Sequence, residues 1–194
     1  MRIAIVDDDP IVCQSLETIL TATGTADVLW SANDGGAAIR RYFESPENHP
    51  DILLIDIQMP GMNGLDLLKH IKILAPETEV ILISGHADLE MAIQGLKLEA
   101  SDFITKPIDD DLLHISLKRA LERIAMRNKL KEYTSNLEKM INEKSAQLVE
   151  AERQLAARQV VDDFEGRFPT TFAGVRSLRG VGDYTAAAVC SAAY

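Results

Sequence analysis

Ile52-Leu53-Leu54-Ile55-Asp56, continuing into Ile57-Gln58-Met59-Pro60-Gly61-Met62-Asn63-Gly64, is the stretch that decides the fold. Four consecutive apolar residues cannot alternate between a core and solvent. The run therefore reads as a strand covered on both faces, as in a parallel sheet under helices. It stops at an acid and opens into a loop that leaves the strand end exposed. Ile3-Ala4-Ile5-Val6 and Val80-Ile81-Leu82-Ile83 have the same character, and Val28-Leu29-Trp30 and Phe103-Ile104 complete a set of five. Between them lie stretches of helical length. Apolar positions recur at helical spacing in Ile11, Leu16, Ile19 and Leu20 (with Ser15), in Leu65, Leu68, Ile71, Ile73 and Leu74, and in Met91, Ile93, Leu96 and Leu98. Asp9-Pro10 reads as a cap and first helical turn, and Pro76 as a stop. The pattern is five βα units, a doubly wound α/β domain over residues 1–122.

The 194 residues are 46% hydrophobic and 26% charged, which argues against wholesale disorder. No apolar run approaches the ~18 residues of a membrane helix. The opening run meets Asp7-Asp8-Asp9 too early to be a signal peptide, so no membrane association is expected. Cys13 and Cys190 are far apart with no CxxC spacing, which disfavours a disulfide framework or thiolate zinc site and fits a reducing cytoplasm. The net charge of −10 is uneven. Residues 1–122 hold 9 Lys and Arg against 21 Asp and Glu, or −12; residues 123–157 hold 7 against 5, or +2; residues 158–194 hold 4 of each. So acidic a first domain should repel nucleic acid and attract divalent cations or basic partner surfaces.

From Asp109 the pattern changes, and neither Gly nor Pro occurs between Ile108 and Glu165. Met126, Leu130, Tyr133, Leu137 and Met140 alternate spacings of four and three, as a coiled-coil seam does. The seam then shifts register through Ile141, Leu148 and Leu155, with Lys144 and Ala151 between. A helix from Asp109 to about Ala157 would be roughly 70 Å long and could not bury its stripe on so small a domain. A second copy of the same helix is the simplest cover, giving a parallel homodimer; a solvated surface helix is the alternative. Residues 158–194 regain glycine and proline: Gly166-Arg167-Phe168-Pro169 breaks the helix, and Leu178 to Thr185 reads as a glycine turn before a helix of small residues.

In an open parallel sheet, functional groups gather at the carboxyl ends of the strands. Here those ends supply Asp7-Asp8-Asp9, Asp56, Ser84 and Thr105-Lys106-Pro107. Clustered carboxylates repel unless a cation neutralises them, and an all-oxygen set suits Mg²⁺. A carboxylate beside such an ion can attack phosphorus, with Lys106 and the Ser84 hydroxyl suited to phosphoryl oxygens. Asp9 reads as a helix cap, Asp51 as the start of a strand, and Asp109, Asp110 and Asp111 as negative charge at a helix N-terminus. His86 and Gln58 would flank the two sides of the site.

Residues 1 to about 122 resemble the receiver domain of two-component response regulators. The resemblance rests on Val6-Asp7-Asp8-Asp9-Pro10, Ile55 to Gly64, Leu82-Ile83-Ser84-Gly85 and Asp102-Phe103-Ile104-Thr105-Lys106-Pro107, in order and at matching spacing. It implies a flavodoxin-like sheet of strand order 2-1-3-4-5 and Asp56 as phospho-acceptor. Asp8 and Asp56 would be direct Mg²⁺ ligands, with Asp7 acting through water and the Gln58 carbonyl as a further ligand. Lys106 would pair with the acceptor or its phosphoryl group, and Ser84 and Phe103 would be a switch pair. A cis Lys106–Pro107 peptide is usual in the family. A sensor histidine kinase or phosphotransfer protein would be the donor. Phosphorylation would draw Ser84 inward, let Phe103 follow, and alter the face of the last two helices. Beyond its own phosphorylation and dephosphorylation, the domain would not be an enzyme.

Residues from about 157 to 194 resemble the helix-hairpin-helix region of adenine DNA glycosylases, through Phe168-Pro169-Thr170-Thr171-Phe172 and Leu178-Arg179-Gly180-Val181-Gly182-Asp183-Tyr184-Thr185-Ala186. The resemblance implies a hairpin at Gly180 and Gly182 that offers backbone N–H groups to a DNA phosphate. The family's catalytic Glu and Asp and its cysteine cluster have no counterpart here, so no base excision is expected. DNA binding through this tail, or a pure dimerisation adaptor, are the competing functions.

Overall fold

The computed structural model describes residues 1–22, 24, 26–85, 89–164, 167, 169–178, 181–182 and 185–186. Chain contacts divide it into two compact units, Met1–Lys129 and Leu130–Tyr194. The first unit alternates strands β1 (Arg2–Val6), β2 (Asp27–Ala32), β3 (Ile52–Asp56), β4 (Glu79–Ser84) and β5 (Asp102–Thr105) with helices α1 (Pro10–Ala22), α2 (Gly35–Glu44), α3 (Gly64–Leu74) and α4 (Leu89–Lys97). Helix α5 follows as Asp110–Phe164. All strand pairings are parallel, in the order β2-β1-β3-β4-β5.

The period of two along each strand sorts the core into two layers. Ala4, Val6, Leu53, Ile55, Val80 and Leu82 face one side, with Ala38 and Tyr42 of α2 and Leu67, Leu68 and Ile71 of α3. Ile3, Ile5, Ile52, Leu54, Ile81, Ile83 and Ile104 face the other, with Cys13, Leu16 and Leu20 of α1 and Leu113, Leu117 and Ala120 of α5. The three central strands are buried along the runs that the sequence shows as unbroken apolar stretches, because both faces are covered.

The helical spacing misassigned some side chains. Ile11, Ile73, Leu74, Ile93 and Leu96 are exposed. The faces that pack are Cys13/Leu16/Leu20 on α1 and Leu67/Leu68/Ile71 on α3. On α4, Gly95 is the buried position, so close to the sheet that a Cβ there would meet Leu82 Cδ1 at 2.4 Å. Local signals fix the ends. Asp9 Oδ1 accepts from the Ile11 amide at 2.8 Å, Asp34 caps α2 through the Ala37 amide, Asn63 caps α3 through the Asp66 amide, and Asp109 accepts from the Leu112 amide at 3.0 Å. Asp51 receives the Arg2 amide at 2.8 Å beside the start of β3.

Helix α5 has 55 residues and continues seven past Ala157. Its first turns pack on the sheet, and Ile124 still packs against the core. Met126, Leu130, Tyr133, Leu137, Met140, Ile141, Leu148 and Leu155 are all exposed, between 46% and 76%. In the second unit, α6 (Phe172–Ser177) is capped by Thr171, and Val175, Leu178 and Ala186 are buried. No helix among the described residues is long and apolar enough to cross a membrane.

Candidate functional site

Strand parity assembles the site. Ile3, Ile5, Ile52, Leu54 and Ile104 face the α1/α5 layer, so Asp7, Asp56 and Lys106, two residues further along their strands, fall on that same side. They sit at the carboxyl edge where the order reverses between β1 and β3, the switch point at which open α/β sheets bind ligands. Lys106 Nζ lies 2.8 Å from Asp7 Oδ2 and 3.1 Å from Asp56 Oδ2. Asp7 is 1% exposed and Asp56 4%, while Asp8 is exposed. Asp7 Oδ1 also accepts from the Asp9 amide at 2.9 Å, and Asp56 Oδ1 from the Gln58 amide at 3.4 Å. The Lys106–Pro107 peptide is cis.

Burial pushes the Asp56 carboxyl up; the hydrogen bond and charge of Lys106 pull it down, and the Asp7 charge pushes it up again. The balance is above the ordinary value. Burial also works against the Lys106 charge, but hydrogen bonds to Asp7 and Asp56 and their charges outweigh it, and the amine is held above its usual value. Carboxylate oxygens of Asp7, Asp8 and Asp56 lie within 4.8 Å of one another. Three carboxylates against one ammonium leave a negative excess in a partly buried, all-oxygen site. That donor set fits a hard divalent cation that keeps several waters.

Ser84 follows the other parity. Val80 and Leu82 face the α2/α3 layer, so Ser84 and Phe103 point to that side. Ser84 pairs with Thr105 and Leu82 with Phe103, which makes Ser84 and Phe103 diagonal neighbours on adjacent strands. Ser84 is fully buried and Phe103 partly, packed against the core. Gln58 is exposed at the mouth. His86 lies outside the described residues, as does Gly180. At Gly182 a Cβ would meet nothing within 4 Å, and its carbonyl accepts from the Ala186 amide at 2.9 Å.

Two residues escaped the sequence reading. Gly64 starts α3 so close under the end of β3 that a Cβ would lie 2.2 Å from the Asp56 carbonyl oxygen. The Asn63-Gly64 pair, a cap followed by the smallest residue, was the available signal. Cys13 donates to the Asp7 carbonyl at 3.5 Å. Burial, then the charges of Asp7 and Glu17, raise its thiol to about 11, so at neutral pH it packs as a small apolar side chain.

A family model described as the response regulator receiver domain matches residues 3–118. The chain is 35% identical to regulatory protein AtoC of Escherichia coli K12 over 130 residues, which are 67% of this chain and 27% of that protein. It is 30% identical to transcriptional regulatory protein FixJ of Azorhizobium caulinodans over 159 residues, 80% of this chain and 69% of that one. It thus spans only about a quarter of AtoC. Among solved structures, a receiver domain protein from Clostridium thermocellum superposes with a TM-score of 0.59 at 30% identity, covering 64% of this chain and 97% of that one. NtrX from Brucella abortus superposes with 0.61 at 31% identity, covering 67% and 29%.

Proposed function

The chain belongs to the response regulator receiver family, and on that premise we propose that it is a phosphorylation switch whose acceptor is Asp56 and whose output passes along helix α5. The observation that carries this reading is the Lys106 ammonium held between Asp7 and Asp56 at 2.8 and 3.1 Å, with Asp8 beside them.

The donor is a phosphohistidine on a sensor kinase or phosphotransfer protein. An Asp56 carboxylate oxygen forms the new P–O bond as the donor's P–N bond breaks, and the imidazole leaves with that electron pair. Lys106 meets the charge on the phosphoryl oxygens. Asp8, Asp56 and the Gln58 carbonyl would hold Mg²⁺ directly and Asp7 through water, and the ion would supply charge neutralisation. The Ser84 hydroxyl then turns toward the phosphoryl group, and Phe103 follows into the space behind it. The protein acts on its own aspartate and turns over no separate substrate. The receiver takes in residues 1–122, the coil 123–157 and the tail 158–194. The exposed stripe from Met126 to Met140 is covered by the same helix of a second copy, in parallel register. Of the positions that flank the stripe, Thr134 and Asn136 at its middle are uncharged, while Arg127, Lys129 and Glu143 toward its ends carry charge.

Treatment with acetyl phosphate and Mg²⁺, followed by intact-mass spectrometry, tests the acceptor. One added phosphoryl group is expected on the wild type and none on Asp56→Asn. Equal uptake by both would overturn the assignment. A second reading, DNA binding by the tail, has one favouring observation, the open approach to Gly182.

A further inference from the structure

At the amino edge of the sheet, remote along the strands from the acceptor, a carboxylate is buried with no part in the chemistry above. Glu79 opens β4 and is 4% exposed. Its Oε2 accepts from the Ser101 hydroxyl, and its Oε1 from Arg127 Nη1 at 2.8 Å. Arg127 Nη2 donates to the Glu77 carbonyl, so the guanidinium fork straddles the start of β4. Ser101 Oγ also accepts from the Val80 amide at 3.0 Å, and the Ser101 amide donates to the Val80 carbonyl. Arg123 reaches the Ser101 carbonyl at 3.4 Å, and Arg119 reaches Asp102 at 3.4 Å. Arginines at 119, 123 and 127, four residues apart on one stripe of α5, thus grip the first residues of β4 and β5.

Those two strands carry Ser84 and Lys106 at or beyond their other ends, and Phe103 is the second residue of β5. Glu79 and Ser84 are the first and last residues of β4, about 17 Å apart along an extended strand. Arg127 is next in sequence to Met126, where the exposed stripe of α5 begins. A buried ion pair adds little net stability over apolar residues of equal volume, but removing one partner strands the other charge. Such a contact holds position strongly and tolerates few alternatives.

We propose that the Glu79–Ser101–Arg127 cluster couples the switch strands to the coiled coil: it makes the exit of α5 follow β4 and β5. The proposal rests on the phosphorylation and dimer reading above. Arg127→Gln leaves the acceptor site and the Arg119 and Arg123 contacts intact but removes the hold on β4 that lies next to the exposed stripe.

The test uses the full chain and measures two things. Intact mass gives phosphoryl uptake, and sedimentation gives the dimer dissociation constant with and without phosphoryl. The wild type is expected to take up phosphoryl and change its dimer constant by at least about tenfold. Arg127→Gln should take up as much phosphoryl and dimerise, with a ratio of the two constants near one. A merely structural ion pair would shift both constants together and leave the ratio unchanged. Should Arg127→Gln fail to fold by circular dichroism, Glu79→Gln, which keeps the hydrogen bond to Ser101, gives the same readout. A variant that keeps the wild-type ratio overturns the coupling role, as does a phosphorylated wild type whose constant does not change. A wild type that takes up no phosphoryl, or never dimerises, removes the underlying reading and the proposal with it.

Discussion

Asp56 is held in conflict, and that has a thermodynamic consequence. Its carboxyl is raised above 3.8 in the folded chain, so the folded state holds the proton more tightly than the unfolded state. The stability this contributes is fully present below the ordinary carboxylate value and lost as pH rises through the folded value. At neutral pH the ionised group is therefore a liability compared with a neutral isostere. Asp56→Asn should melt higher than the wild type at pH 7 in chelator, by about 2–4 °C for each kcal/mol relieved, with the gap closing as pH falls toward 4. Thermal melts across that range check it; a lower-melting variant at pH 7 would contradict the burial argument. Mg²⁺ should raise the wild-type midpoint by mass action and raise that of Asp56→Asn much less. Asp7, Asp8, Asp56 and Lys106 were legible as a set because strand parity and strand ends are readable from apolar runs. The double grip of Lys106 on Asp7 as well as Asp56 was not, since it depends on where a flexible side chain comes to rest between two buried acids.

Among the elements, the strands were more legible than the helix faces. A strand buried on both sides appears as an unbroken apolar run, and Ile52–Ile55, bounded by Asp51 and Asp56, suits that reading. A helix covering one face of a sheet is ambiguous wherever apolar residues crowd together. Ile71, Ile73 and Leu74 all fit a helical stripe, yet only Ile71 is buried. On α4 the fully covered residue is Gly95, which hydrophobic spacing passes over, while Met91, which it picks out, packs partly against the core. Close approach of backbones explains Gly64 as well. Gly64→Ala places a methyl against the Asp56 carbonyl, so either β3 or α3 must shift. A cost of about 1–3 kcal/mol is expected, read from urea unfolding, along with slower phosphoryl uptake because Asp56 moves relative to Lys106. A variant with wild-type stability and uptake rate would show that the strand end yields freely.

For the whole molecule, the expected outcome is a dimer through α5. A chain ended after Lys129 keeps Ile124 on the core and Arg127 on Glu79 but loses Leu130 to Met140. It should be a monomer by light scattering at tens of micromolar, and the full chain a dimer; a monomeric full chain would leave α5 as a solvated helix. Charge limits the alternative output. The tail's charges cancel and the first 122 residues carry −12, so duplex DNA should bind weakly and lose affinity steeply with salt. Sub-micromolar anisotropy binding near physiological salt would make the tail an output domain. The switch reading depends on one acyl phosphate at one place. Borohydride reduction of the acetyl-phosphate-treated, Mg²⁺-loaded chain, followed by peptide mass mapping, locates it directly. Reduction to homoserine at position 56 alone is the expected result. A reduced residue at another acid, or none at all, would contradict the account.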